Sequence, residues 1–135
     1  MKIVLDTNCL LRSVPPKSEH HIILSALQQG RYVLCYSNEI LMEYEELLLR
    51  FYSQPIAYNV LNFIVNSPYS KQVNPHYKWN LIYTDLDDNK FVDCALNGGA
   101  NFLVSNDKHF NVLKNIKFPS VQVLDLDTLK KILLV

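Results

Sequence analysis

Three short runs constrain the fold of this chain most strongly: KIVL at 2–5, YVLCY at 32–36 and NFLVS at 101–105. KIVL is apolar on consecutive positions, not alternate ones, which marks a strand buried on both faces. Helical segments separate the runs. After the PPK break at 15–17, SEHHIILSALQQG carries Ile22, Ile23, Ala26 and Leu27 on one stripe, with Gly30 at its stop. Ser37 is placed to cap NEILMEYEELLLRFY, which is apolar at 40, 41, 44, 47, 48 and 51. Pro55 suits the first turn of PIAYNVLNFIV, which ends near Asn66. Residues 67–80, with two prolines, read as a loop, and LIYT at 81–84 as a candidate short strand. NKFVDCALNGG is a helix with Phe91, Val92, Ala95 and Leu96 inward. HFNVLKNI is a short helix, VQVL at 121–124 a further strand and DTLKKILLV a closing helix. This alternation predicts a three-layer α/β/α sandwich with a central parallel sheet of four to five strands. At 135 residues the chain reads as a single domain, 1–135.

Lys plus Arg and Asp plus Glu are 13 each, so the net charge is zero. That argues against a basic DNA-binding module but leaves room for a nuclease whose acids hold metal. Cys9, Cys35 and Cys94 lie in apolar settings without a CxxC pair, which suggests free buried thiols in a reducing cytoplasm. The first apolar run stops at Asp6, unlike a signal peptide, and no apolar stretch reaches the ~20 residues of a membrane span.

The chemistry lies in the acids. In parallel α/β sheets, reactive groups gather beyond the carboxyl ends of the strands. Asp6 ends KIVL, and Asp107 follows NFLVSN. Asp88 starts the helix NKFVDCAL, and Glu43 lies in the helix after YVLCY. Each has an ordinary reading: Asp6 as a turn cap, Asp88 and Asp107 as helix caps, Glu43 as part of a solvated face. Together they place four carboxylates near one sheet edge. Like charges at that density repel and call for a cation. Hard oxygen donors suit Mg²⁺ or Mn²⁺, and one or two such ions could activate water against a phosphodiester. His20 and His21, adjacent on a helix, point to different faces and offer no zinc pattern.

KIVLDTN, EILMEYEELLLR, DLDDNKFVDCALNGGANFLVSNDKHF and VLDLDTLKKIL occur in an order that resembles the PIN-domain family over nearly the whole chain. The nearest likeness is to bacterial PIN proteins that serve as toxins of toxin–antitoxin pairs. The resemblance implies an α/β/α sandwich and a metal-dependent ribonuclease acting on single-stranded RNA in the cytoplasm. It implies an antitoxin partner and a homodimer. Carried over by position, the family's acids fall on Asp6, Glu43, Asp88 and Asp107. Thr7, Asn8 and Ser105 fall where the family places small polar groups that bond the acids or metal waters. Asp87, Asp93 and Glu46 are alternates should the register differ. Arg12, Lys90 and Lys108, each near a proposed acid, are candidates for phosphate contact or for relieving acid repulsion.

Three other readings compete. A haloacid-dehalogenase-like phosphatase also starts from an Asp after the first strand, but it needs an acid at the position Asn8 holds. A receiver domain expects an Asp where YVLCYS has none. A PIN scaffold that binds RNA or protein without cutting would not need the full set of acids.

Overall fold

The computed structural model describes residues 1–82 and 85–135. Five strands form one sheet: β1 (Lys2–Leu5), β2 (Val33–Tyr36), β3 (Ser70–Gln72), β4 (Phe102–Val104) and β5 (Val123–Leu124). Their order is β3-β2-β1-β4-β5, and every neighbouring pair is parallel. The α-helices are α1 (Thr7–Ser13), α2 (Ile22–Gln28), α3 (Asn38–Phe51), α4 (Gln54–Asn66), α5 (Asn89–Gly98) and α6 (Leu126–Leu133). Stretches of 3₁₀ helix occupy Leu86–Asp88 and Lys108–Asn115. Ile3, Val4 and Leu5 are all fully buried. Successive strand side chains point to opposite faces, so helices cover the sheet on both sides. This is the α/β/α sandwich that the strand pattern predicts. No described helix is long and apolar enough to cross a membrane.

The strand order places the centre of interest. From β1 the chain builds outward through β2 to β3, then returns to the other side of β1 for β4 and β5. The order therefore reverses at β1/β4, where open α/β sheets form a crevice beyond the strand ends. Leu5 pairs with Val104 in register. The next residues, Asp6 and Ser105, leave the sheet side by side, and the Asp6 amide donates to the Val104 carbonyl at 2.9 Å.

Local structure departs from the sequence reading in several places. The chain enters α1 directly after Asp6, burying Thr7, Cys9 and Leu10. This helix has only seven residues before Pro15, too few for a helical stripe to stand out. The expected loop at 67–80 contains β3, whose residues alternate in no apolar pattern. It is recruited by its neighbour: the Leu34 amide donates to Tyr69, and the Val73 amide donates to Tyr36. An edge strand pairs on one side only and can be specified by that partner. The proposed strand LIYT is not one at Leu81 and Ile82, where the Asn89 amide instead bonds both backbone groups of Ile82 at 2.9 Å; its last two residues lie outside the described residues. The short helix expected over HFNVLKNI is present as a 3₁₀ helix.

α3 is tied to β1 by one buried bond. The Tyr44 hydroxyl donates to the Leu5 carbonyl at 2.6 Å, and both residues are fully buried. Glu43 precedes Tyr44 and Asp6 follows Leu5, so this bond fixes the distance between two of the proposed acids. Tyr44→Phe leaves that carbonyl without its partner. Urea unfolding should show a loss of about 1–3 kcal/mol.

Candidate active site

Asp6 holds the N-cap position of α1, yet its side chain makes no capping bond. Its Oδ2 instead accepts from the Ser105 hydroxyl at 2.7 Å, while Ser105 Oγ accepts from the Asp107 amide at 3.0 Å. Asp6 is only 7 % exposed. Burial raises its pKa above the ordinary carboxylate value, the Ser105 bond opposes this, and Glu43 and Asp107 add to the rise. A purely structural N-cap has no reason to accumulate these features.

Glu43 approaches from α3. The Thr7 hydroxyl donates to its Oε2. Lys90, from the first turn of α5, places Nζ 2.9 Å from Glu43 Oε1 and 2.8 Å from Asp87 Oδ2. Only 9 % of the Lys90 side chain is exposed. Burial works against its ammonium, but the bonds to Asp87 and Glu43 outweigh that and raise its pKa. The Lys90 ammonium is thus turned into the acids, not outward toward solvent. Asp87 is exposed, and its pKa is lowered chiefly by the Lys90 bond.

Asp88 sits at the N-cap of α5, again without a capping bond. His109 Nδ1 lies 3.2 Å from Asp88 Oδ2 and 3.5 Å from Asp107 Oδ1. Burial pushes the Asp88 carboxyl up to about 6; the His109 bond lowers it, while Asp85, Asp107 and Asp6 push it further up. His109 is raised in turn, chiefly by Asp88. Asp107 does act as a cap, accepting from the His109 amide at 2.9 Å, so its ordinary reading holds alongside its place beside the other acids.

The structure therefore brings Asp6, Glu43, Asp88 and Asp107 into one electrostatic neighbourhood. Their oxygens do not all converge. Among the described residues, the tight three-ligand groups are Asp85, Asp88 and His109, and separately Glu19, His20 and Asp127. Sequence reasoning missed Asp85 and His109. The available signals were the i, i+3 spacing of Asp85 to Asp88 and the position of His109 two residues past Asp107.

Beside Asp6 and Asp107 opens a cleft of about 1040 Å³, lined also by Asn8, Arg12, His20 and Phe51. Asn8 and Arg12 are exposed on its wall. Lys108 is exposed beside Asp107 in a neighbouring depression. Two alternates stand apart. Asp93 is buried and accepts from the Trp79 amide at 2.9 Å, which pins the 77–80 segment. Glu46 is exposed and pairs with Arg50 at 3.1 Å, one turn on. Trp79 also packs tilted against Tyr77 and edge-on to Phe118, with centroids 4.4 Å and 6.4 Å away.

A doubly wound parallel sheet with acids at its switch point defines a class of α/β protein. The model of the PIN domain family matches residues 2–109, and the chain belongs to that family. Among solved structures it is similar to VapBC2 from Rickettsia felis bound to a DNA fragment from their promoter. That match has a TM-score of 0.61 at 15% identity, covering 93% of this chain and 98% of that one. It is also similar to the PIN domain of human SMG5, at a TM-score of 0.49 and 16% identity, covering 97% and 98%. At such identities the likeness is one of fold. No curated protein matches the sequence.

The raised Asp88 carboxyl has a pH signature. Its unfolded value is 3.8 and its folded value about 6, so between these the folded chain holds the extra proton. Stability supplied by that proton is present at low pH and is lost as pH rises from about 4 to about 6. In metal-free buffer, Asp88→Asn should remove this fall of about 3 kcal/mol, read from urea midpoints across the window.

Proposed function

We propose that this PIN domain is a metal-dependent endoribonuclease that hydrolyses phosphodiester bonds of single-stranded RNA, as the toxin of a type II toxin–antitoxin pair. The observation that carries the reading is the crowding of carboxylates at the β1/β4 switch point, where burial and mutual repulsion hold Asp6 and Asp88 above their ordinary pKa. Groups destabilised in this way favour a cation.

The donor set fits Mg²⁺ or Mn²⁺, because carboxylate oxygens dominate it, with one imidazole, His109, beside Asp88 and no thiol nearby that is free to ionise. Cys9 adjoins the cleft but is pushed up to about 12, chiefly by burial. Asp6, Asp88 and Asp107 are the residues that would hold the ion, with Glu43 beside them paired to Lys90. When bound, it supplies a Lewis acid that activates water and neutralises charge on the scissile phosphate. The chain's own part is positional. Ser105 fixes the rotamer of Asp6, and Thr7 fixes that of Glu43. Asn8 faces the cleft and is free to bond a water or a phosphate oxygen there. Arg12 and Lys108, exposed on either side of Asp107, are placed to meet the backbone of a strand crossing the site. A single strand with splayed bases fits such an edge better than a stacked duplex. The products would be a 3′-hydroxyl and a 5′-phosphate.

The likeness in fold to VapBC2 supports an antitoxin partner for this chain. The three cysteines are buried and unpaired, which suits a reducing cytoplasm.

The test is cleavage of a mixed single-stranded RNA with Mg²⁺, with Mn²⁺ and with EDTA. Activity should require metal, fall on the order of 10²–10³-fold in Asp6→Asn, and fall about 10–100-fold in Ser105→Ala with weaker metal binding. Cleavage that survives both EDTA and Asp6→Asn would sink the reading. Metal binding without cleavage of any RNA would favour the binding scaffold.

A further inference from the structure

The acids do not surround their centre evenly. Asp6 and Asp88 are crowded by each other and by Asp107, and among the described residues the half-exposed His109 imidazole is the cation that stands near Asp88 and Asp107. On the Glu43 side the position is different. Lys90 Nζ sits 2.9 Å from Glu43 Oε1 and 2.8 Å from Asp87 Oδ2, and Thr7 donates to the other Glu43 oxygen. Both oxygens of Glu43 are therefore engaged by donors of the chain itself. Lys90 is held there by more than charge: its side chain is 91 % covered, its base is in the first turn of α5, and Nζ lies 5.4 Å from the centroid of the Phe91 ring. Among the described residues, no tight three-ligand group includes Glu43.

We propose that the Lys90 ammonium fills the cation position beside Glu43, so that this site takes one divalent ion, on the Asp6–Asp88–Asp107 side, and not two. The proposal rests on the metal-dependent reading above and goes beyond it by fixing the number of ions and by giving Lys90 a role other than phosphate contact. A divalent ion on Glu43 Oε1 would face a fixed positive charge at short range in a partly dry setting, where repulsion is weakly screened. Remove that charge, and Glu43 and Asp87 become two carboxylates without a counter-ion, which a second divalent ion would satisfy. Lys90 is on this view a positioning residue that sets the ion count and holds Glu43 in place.

The experiment is calorimetric titration of the full chain with Mn²⁺ alone, in the absence of RNA. Ions at this site are counted as those lost when Asp6→Asn and Glu43→Gln are added together to each background. That subtraction removes any ion held elsewhere, for instance at Glu19, His20 and Asp127. Wild type should lose one ion, Lys90→Met two and Lys90→Arg one. Electron paramagnetic resonance should show broadening from paired Mn²⁺ ions in Lys90→Met only. Should Lys90→Met not fold, as judged by circular dichroism, Lys90→Gln carries the same expectation. Two ions in wild type, one ion in both uncharged variants, or two in Lys90→Arg would overturn the proposal. A wild-type chain that loses no ion with these two substitutions removes the metal reading itself, and the proposal with it, which distinguishes that failure from a wrong count.

Discussion

A carboxylate buried at the end of the central strand is the constraint around which this molecule is arranged. Asp6 cannot be moved outward, because Leu5 before it is fully buried and paired with Val104, and Thr7 after it is buried in the first turn of α1. Removing a charged group from water is costly unless hydrogen bonds replace the lost hydration. The parallel register supplies one: pairing Leu5 with Val104 sets Ser105 beside Asp6, and the hydroxyl reaches Oδ2. The same hydroxyl receives the Asp107 amide and so bends the chain after β4 back over the strand ends. Secondary structure and site are two consequences of one alignment.

The remaining charge is divided between two kinds of cation. Lys90 is a permanent one, enclosed and shared by Glu43 and Asp87. His109 is a conditional one: it is exposed, and its charge depends on the carboxylates that raise its pKa. The 3₁₀ turn Leu86–Asp88 runs straight into α5 at Asn89, so one helix entry delivers Asp87 and Asp88 together with the counter-charge of Lys90. The helix N-terminus itself favours the carboxylates.

Much of this was legible in the sequence. β1, β2 and β4 are short, apolar on successive positions and bounded by polar residues, so burial on both faces was written into them. Their alternation with helices gave the parallel sheet, and the rule about strand ends then pointed to Asp6 and Asp107 without side-chain information. What stayed hidden was whatever depended on a partner remote in sequence. β3 is a strand because β2 offers it an edge, not because SKQ favours one. The direction of Lys90 depends on Glu43, 47 residues earlier. His109 could be seen as the start of a helix, but only folding brings it 21 residues back to Asp88. Asp93 looked like a spare acid because its charge was visible, while its bond to the Trp79 amide was not.

The distance along the chain between Asp6 and Ser105 has a consequence in time. The two residues that meet at 2.7 Å are 99 positions apart, and Asp107 and His109 follow still later. A ribosome making this protein releases Asp6 first and must add nearly the whole sheet before its partner emerges. Between the release of Asp6 and that of Ser105 the nascent chain carries acids but no assembled centre. Whatever chemistry the centre performs, it is withheld from the translating ribosome until β4 has left the exit tunnel and paired with β1.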